Sequence, residues 1–350
     1  MKNRRHKMNA RRLAGWLRQE GFAWLALGVW LLPLVALAAE TNSPLVWPPP
    51  PAEPRLVYVR QISASPDIGV RPAPLMRFAN WLTGVTNQSE KLDRPFGLAL
   101  DEAENLVVTD TAGGAVNYLD FARKKWLRWT RLGDIRLLSP VAAVHRAGTF
   151  WVADSVLAEV IAFDARGQVR RVITNRLERP AGLAFVGDRL LIVDSQRHQI
   201  VICNSSGEVV SSFGRRGTGP GEFNFPTHVS VDKQARIYVT DALNCRIQVF
   251  DAAGKFLRSL GRPGDGPGRF SRPKGVAVDG DGHIYVVDGV FHNVQIFDDE
   301  ARLLLDWGGP GAGLGQFCLP NAIVINSRNE IFVADAFNRR LQVFRYLSQP

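Results

Sequence analysis

Apolar and polar residues alternate in short runs along most of this chain, and the runs come in sets. "GVAVD" (275–279) alternates, "GDGH" (280–283) interrupts, and "IYVVD" (284–288) alternates again. A polar turn follows, then a third run, "VQIFD" (294–298). In the preceding set a fourth run, "KFLRSLG" (255–261), comes after "AAG". A period of two over about five residues, bounded by Gly, Asp and Asn, predicts short antiparallel strands. The sets recur. "VTDALNCRIQVFD" (239–251) returns as "VVDGVFHNVQIFD" (286–298) and as "VADAFNRRLQVF" (333–344). The step is about 47 residues, within the range of repeat architectures.

Six units follow from this register. Their first strands begin "RPFGLAL" (94–100), "SPVAAV" (139–144), "RPAGLAF" (179–185), "FPTHVSV" (225–231), "RPKGVAV" (272–278) and "LPNAIVI" (319–325). Each proline is followed, at a nearly constant interval, by an aspartate: Asp110, Asp154, Asp194, Asp241, Asp288 and Asp335. The units span about 94–138, 139–178, 179–224, 225–271, 272–318 and 319–347. Four strands per unit and six units predict an all-β, six-bladed propeller of four-stranded antiparallel blades. The sixth unit stops after its third strand. "RLVYVRQI" (55–62) is the expected fourth, which would close the ring and remove its open edges. Within 55–93, "PLMRFANWLTG" (74–84) puts Leu75, Met76, Phe78, Ala79 and Leu82 on one face of a short helix. Residues 40–54, with "NSPLVWPPPPAEP" (42–54), read as an extended proline-rich spacer.

The "P-x-G-V-A-V-D" start, the "I-Y-V-x-D" strand and the "N-x-R-x-Q-V-F" run resemble the NHL repeat family. Asn244, Arg246, Gln248 and Phe250 fit it closely, as do Asn338, Arg340, Gln342 and Phe344. Unit five departs at His292 and Asn293, and units one and two, with "TAGGAVNYLD" and "SVLAEVIAFD", fit poorly. The resemblance covers 94–344 and implies the same propeller. For an exported member it implies a binding scaffold. It does not fix function, because propellers host unrelated activities. The six aspartates are expected to be structural. Each ends a second strand, where a carboxylate can accept backbone N–H groups in the turn, and Arg246 and Arg340 stand where they can reach back to it. Phe250, Phe297 and Phe344 should lie between blades.

Charge adds a targeting signal. The net charge is +10, of which residues 1–39 hold +6 (seven Lys/Arg, one Glu), leaving +4 over the rest of the chain. That remainder is mild and has no interleaved aromatic stripe, so no nucleic-acid partner is expected. The basic segment precedes the uncharged "GFAWLALGVWLLPLVALAA" (21–39), with Pro33 and then "ALA" near its end. This is the pattern of a signal peptide. Left uncleaved, it is nearly long enough to be a membrane tether. Either way the ring is expected outside the cytoplasm, periplasmic, secreted or anchored facing outward. Cys203, Cys245 and Cys318 form no C-x-x-C. A Cys203–Cys245 bridge and small buried thiols are the two alternatives.

Strand direction places the prolines, the aspartates and the turns after them on one face. The glycine-rich links 214–226, 261–273 and 308–320 join them there. None runs into a helix or carries a phosphate-loop lysine, so their glycines serve turns. This face is the expected binding surface. Its candidate residues are Arg216, Arg262, Arg269, Lys274, His228, Asn321, His198 and His292, suited to an acidic protein, peptide or glycan. The alternative is a metal-dependent lyase or hydrolase at the central channel, as in propellers that hold zinc through histidines of separate blades. The lyases of that kind carry histidine directly after the first-strand proline. Here those positions are Phe96, Val141, Ala181, Thr227, Lys274 and Asn321. No catalytic residue or cofactor is therefore expected. Calcium or zinc stays compatible with the composition.

Overall fold

The alternating runs fold as their period requires. The computed structural model describes residues 44–71 and 90–347, and these form six antiparallel sheets arranged as the blades of a propeller, with a small two-stranded ribbon, Arg131–Leu132 against Ile135–Arg136, between blades one and two. The innermost strands are Pro95–Leu100, Pro140–Arg146, Pro180–Val186, Pro226–Val231, Pro273–Val278 and Pro320–Ile325. They line the central channel. The second strands end at the six aspartates, and in every blade the proline pairs directly with that aspartate, as in Pro95↔Asp110 and Pro320↔Asp335. The helical turns among the described residues are the short 3₁₀ segments Ser65–Ile68 and Ala242–Asn244. The predicted helix over 74–84 and the apolar segment 21–39 lie outside the described residues.

Burial follows position in the blade. Second strands such as Ile237–Asp241 are buried throughout, because both faces meet neighbouring blades. Outer strands such as Phe256–Leu260 alternate between half-buried and exposed as far as the buried Leu260. Phe250, Phe297 and Phe344 sit between blades at 0–1% exposure. Each packs against a phenylalanine from a glycine-rich link: Phe223, Phe270 and Phe317, at centroid distances of 5.7, 5.8 and 5.9 Å. Gly261 shows why a link needs glycine. Its φ is +82°, and a Cβ there would lie 2.2 Å from the Phe270 ring.

The sixth blade is closed by the N-terminal strand. Leu56–Ile62 pairs antiparallel with Arg340–Tyr346, and Leu56 and Ile62 are fully buried. The proline-rich spacer turns out to be more than a spacer: Val46–Trp47 pairs with Leu56–Val57 as a fifth strand of this blade. Trp47 is held by the edge of Phe344, 5.6 Å between centroids, and by the open face of Gly315. The cysteines are free thiols, so the bridge alternative is not formed. Burial pushes the Cys203 thiol up to about 11.

Candidate functional site: the mouth of the central channel

The six aspartates are fully buried, and their oxygens are taken up by donors. Asp241 accepts the Asn224 N–H at 2.7 Å, Arg246 Nε at 2.8 Å, Asn244 Nδ2 at 2.9 Å and Gln248 Nε2 at 3.0 Å. Asp335 repeats the set with Cys318, Arg340, Asn338 and Gln342. Asp288 and Asp154 accept backbone N–H groups alone, from both the strand entry and the following turn. Asp194 does the same through Glu178, Arg179 and Arg197, and Asp110 through Asp93, Arg94 and Gly113. Each carboxylate thus ties the inner-strand entry to the turn after the second strand, which fixes the outline of the mouth.

Pairing shifts register just after each proline, so one extra residue bulges from every inner strand. A bulge re-aims its side chain. Here it turns Phe96, Val141, Ala181, Thr227, Lys274 and Asn321 into the mouth, where all six line cavities. One cavity, of ≈ 320 Å³, lies on the side of blades two to four. The other, of ≈ 270 Å³, lies between blades five, six and one. They meet at Phe96, Arg272 and Lys274.

A polar bar floors the mouth. The Asn321 amide donates to the Phe96 carbonyl at 2.9 Å and lies 3.3 Å from His228 Nε2. Blades six, one and four are thereby joined across the channel. With Nε2 accepting, the His228 proton sits on Nδ1, toward Thr227 Oγ1 at 3.1 Å. Burial, and then the Lys274 charge, push His228 down to about 3, so the ring is neutral at physiological pH. Below the bar runs a bore of ≈ 300 Å³ lined by the inner strands.

The other candidate residues stand elsewhere. His198 Nδ1 accepts the Phe225 N–H at 3.0 Å, and His292 Nδ1 accepts that of Leu319 at 2.9 Å. Phe225 and Leu319 have φ of +51° and +49°, so these imidazoles brace two left-handed strand entries. Burial and the nearby Arg216 hold His198 below its ordinary range. Arg269 donates to the Pro263 carbonyl within its own link. Arg216 and Arg262 are exposed on the links and do not line the mouth cavities.

Sequence reasoning missed part of the mouth. Arg94, Arg179 and Arg272 precede the inner-strand prolines of blades one, three and five, and all line its cavities. Their signal is an "R-P-x-G" start in alternate units. The glycine belongs to the same device. A Cβ at Gly97 would lie 2.5 Å from the Val141 carbonyl oxygen of the next blade, and one at Gly182 would lie 2.8 Å from that of Thr227. At the turn tips, Val156, Leu243, Val290 and Phe337 occupy equivalent positions two residues after the aspartate. They are 65%, 44%, 48% and 52% exposed, an apolar rim over four of the six blades. Among the described residues, the cluster with metal-ligand types is Asp279, Asp281 and His283, in a turn after an inner strand, away from the mouth. Asp279 already accepts from the Asp281 and His283 N–H groups, from Tyr285 Oη at 3.0 Å and from His283 Nδ1 at 2.8 Å, which raises the His283 imidazole.

Comparison with known proteins agrees with this architecture. A family model described as a 6-bladed beta-propeller matches residues 174–236 and again 234–289. No curated protein matches the sequence. Among solved structures, virginiamycin B lyase from Staphylococcus aureus is similar at a TM-score of 0.55 and 10% identity, over 84% of this chain and 99% of that one. An auxiliary nutrient binding protein from Bacteroides thetaiotaomicron gives 0.59 and 13%, over 73% and 70%. Kuenenia stuttgartiensis hydrazine synthase gives 0.54 and 14%, over 75% and 99%. At these identities the likeness is one of fold.

Proposed function

We propose that this chain is an exported propeller of the NHL type that acts as a non-catalytic binding and assembly scaffold, taking a protein, peptide or glycan on its loop face. One observation carries the reading. The mouth joins two cavities lined by four cations, with no acidic residue among the lining side chains, beneath an apolar rim. Concave, mostly apolar sites with a few convergent charges are where ligands bind. The metal-dependent alternative needs imidazoles converging on one ion. His228 is the single histidine lining the mouth cavities, and its ring nitrogens already face Asn321 and Thr227. The structural neighbours include a protein named for nutrient binding, which suits the same reading. The basic segment and apolar run at 1–39 support export.

The test is crosslinking in the native cells followed by mass spectrometry, comparing wild type with an Arg216→Glu, Arg262→Glu, Lys274→Glu variant. The expected result is a discrete partner captured by wild type and lost from the variant. Capture of nothing by wild type would count against the scaffold and direct attention to metal content and lyase activity.

A further inference from the structure

Among the described residues no side-chain hydrogen bond or ion pair holds the cations of the mouth, and Asp288 acts on Lys274 only through space. Arg94, Arg179 and Arg272 stand at one equivalent position in alternate blades and are exposed. The acids beside them in sequence are committed outward: Asp93 to Arg128 at 3.5 Å and Glu178 to Arg197 at 3.1 Å. The nearby Asp110, Asp194 and Asp288 are saturated by backbone donors. Arg94 lies over the Phe337 ring, 4.9 Å from its centroid, which leaves its guanidinium edge open. Lys274, half-buried at the junction of both cavities, makes no hydrogen bond or ion pair through its ammonium among the described residues. A charge held this way without a partner costs stability, and the site keeps it.

Apolar surface flanks the charges on both sides, with Phe225 and Leu243 in one cavity and Val290, Leu319 and Phe337 in the other. The apolar surface also continues outward onto the rim, so the occupant is larger than either cavity. Lys274 is half-buried in cavities that the exposed turn-tip residues Leu243, Val290 and Phe337 also line, where a projecting side chain reaches and a flat bilayer does not.

We propose, on the scaffold reading above, that the mouth seats an extended peptide segment of a partner protein. An acidic side chain meets Lys274 and Arg272, and large apolar side chains on either side of it fill the two cavities. The acid supplies the missing counter-charge, and the rim excludes water around the pair.

The test selects random twelve-residue displayed peptides on the full-length protein, with Lys274→Met and Arg272→Met as counter-screens and phosphatidylglycerol vesicles as a separate arm. The expected consensus is Asp or Glu flanked by Leu, Phe or Trp. A synthetic consensus peptide should bind at least about tenfold more weakly to either variant, and likewise when its acid is replaced by the amide. Lys274→Met keeps the apolar stem and should melt no lower than wild type, so its loss of binding cannot be loss of fold. Peptides lacking an acid, or acidic peptides bound equally by Lys274→Met, would overturn the seat. If such peptides are nevertheless lost on Arg216→Glu and Arg262→Glu, the scaffold reading stands without it. Lys274-dependent capture of vesicles, or retention of no peptide at all, would overturn the peptide occupant. Only the additional absence of any crosslinked partner defeats the scaffold itself.

Discussion

Asp335 and Arg340 form a buried pair, and the guanidinium also donates to the Gly313 and Gln316 carbonyls and to Gln61. Removing the carboxylate strands that cation and the Cys318 N–H. Asp335→Ala should therefore cost about 3–5 kcal/mol. Asp288 accepts only backbone N–H groups, so Asp288→Asn should cost less, about 1–3 kcal/mol; urea unfolding of both variants checks the order. His228 gives a pH signature. Its folded-state pKa, about 3, lies below the ordinary value of 6.5, so the unfolded chain binds the proton more readily. Its contribution is intact above pH 6.5 and is lost as pH falls toward 3, by at most about 1.4 kcal/mol per unit. His228→Gln should flatten the stability profile between pH 6.5 and 5, where carboxylates contribute little. The aspartates and their arginines were legible in the sequence because the same letters recur at fixed offsets. The work of His198 and His292 was not, because each braces a residue 27 positions away whose left-handed backbone no local pattern announces.

The period of two announces the strands, and a deficit announces the closing one, since unit six lacks a partner that 55–62 can supply. The fifth strand escaped notice because Val46–Trp47 is two residues long and borders Pro48–Pro51. Its evidence is Trp47 packing on Phe344, nearly three hundred positions away in the chain. The bulge after each proline was equally hidden. The letters place Lys274 and Asn321 on an inner strand, but only the register shift turns them into the mouth. Closure itself can be measured. Ile62 is fully buried against Leu341 and its neighbours, so Ile62→Ala should lower stability by about 2–5 kcal/mol, seen as a reduced urea midpoint at unchanged slope.

At the scale of the ring, alternation of the blades organises the face. The "R-P-x-G" starts set arginines at blades one, three and five. Ser139, Phe225 and Leu319 take the same place in blades two, four and six. The even blades press against the bare glycine backbones of the odd ones. The net charge was easy to count and its placement was not, because the exposed acids and bases largely pair with each other around the periphery. At the centre, by contrast, four cations line the mouth cavities with no acidic side chain among them.

The closing strand also has a consequence in time. Leu56–Ile62 is synthesised before any blade, and its partner Arg340–Tyr346 after five blades and most of the sixth. The Gln61–Arg340 contact spans 279 positions, a loop whose closure costs on the order of 5 kcal/mol in chain entropy. Contacts within blades are far more local and form first. Ring closure is therefore a late event, and Ile62→Ala should speed unfolding while leaving the folding rate nearly unchanged. Until that meeting of an early-made strand with the last-made one, the chain is a row of blades without a centre.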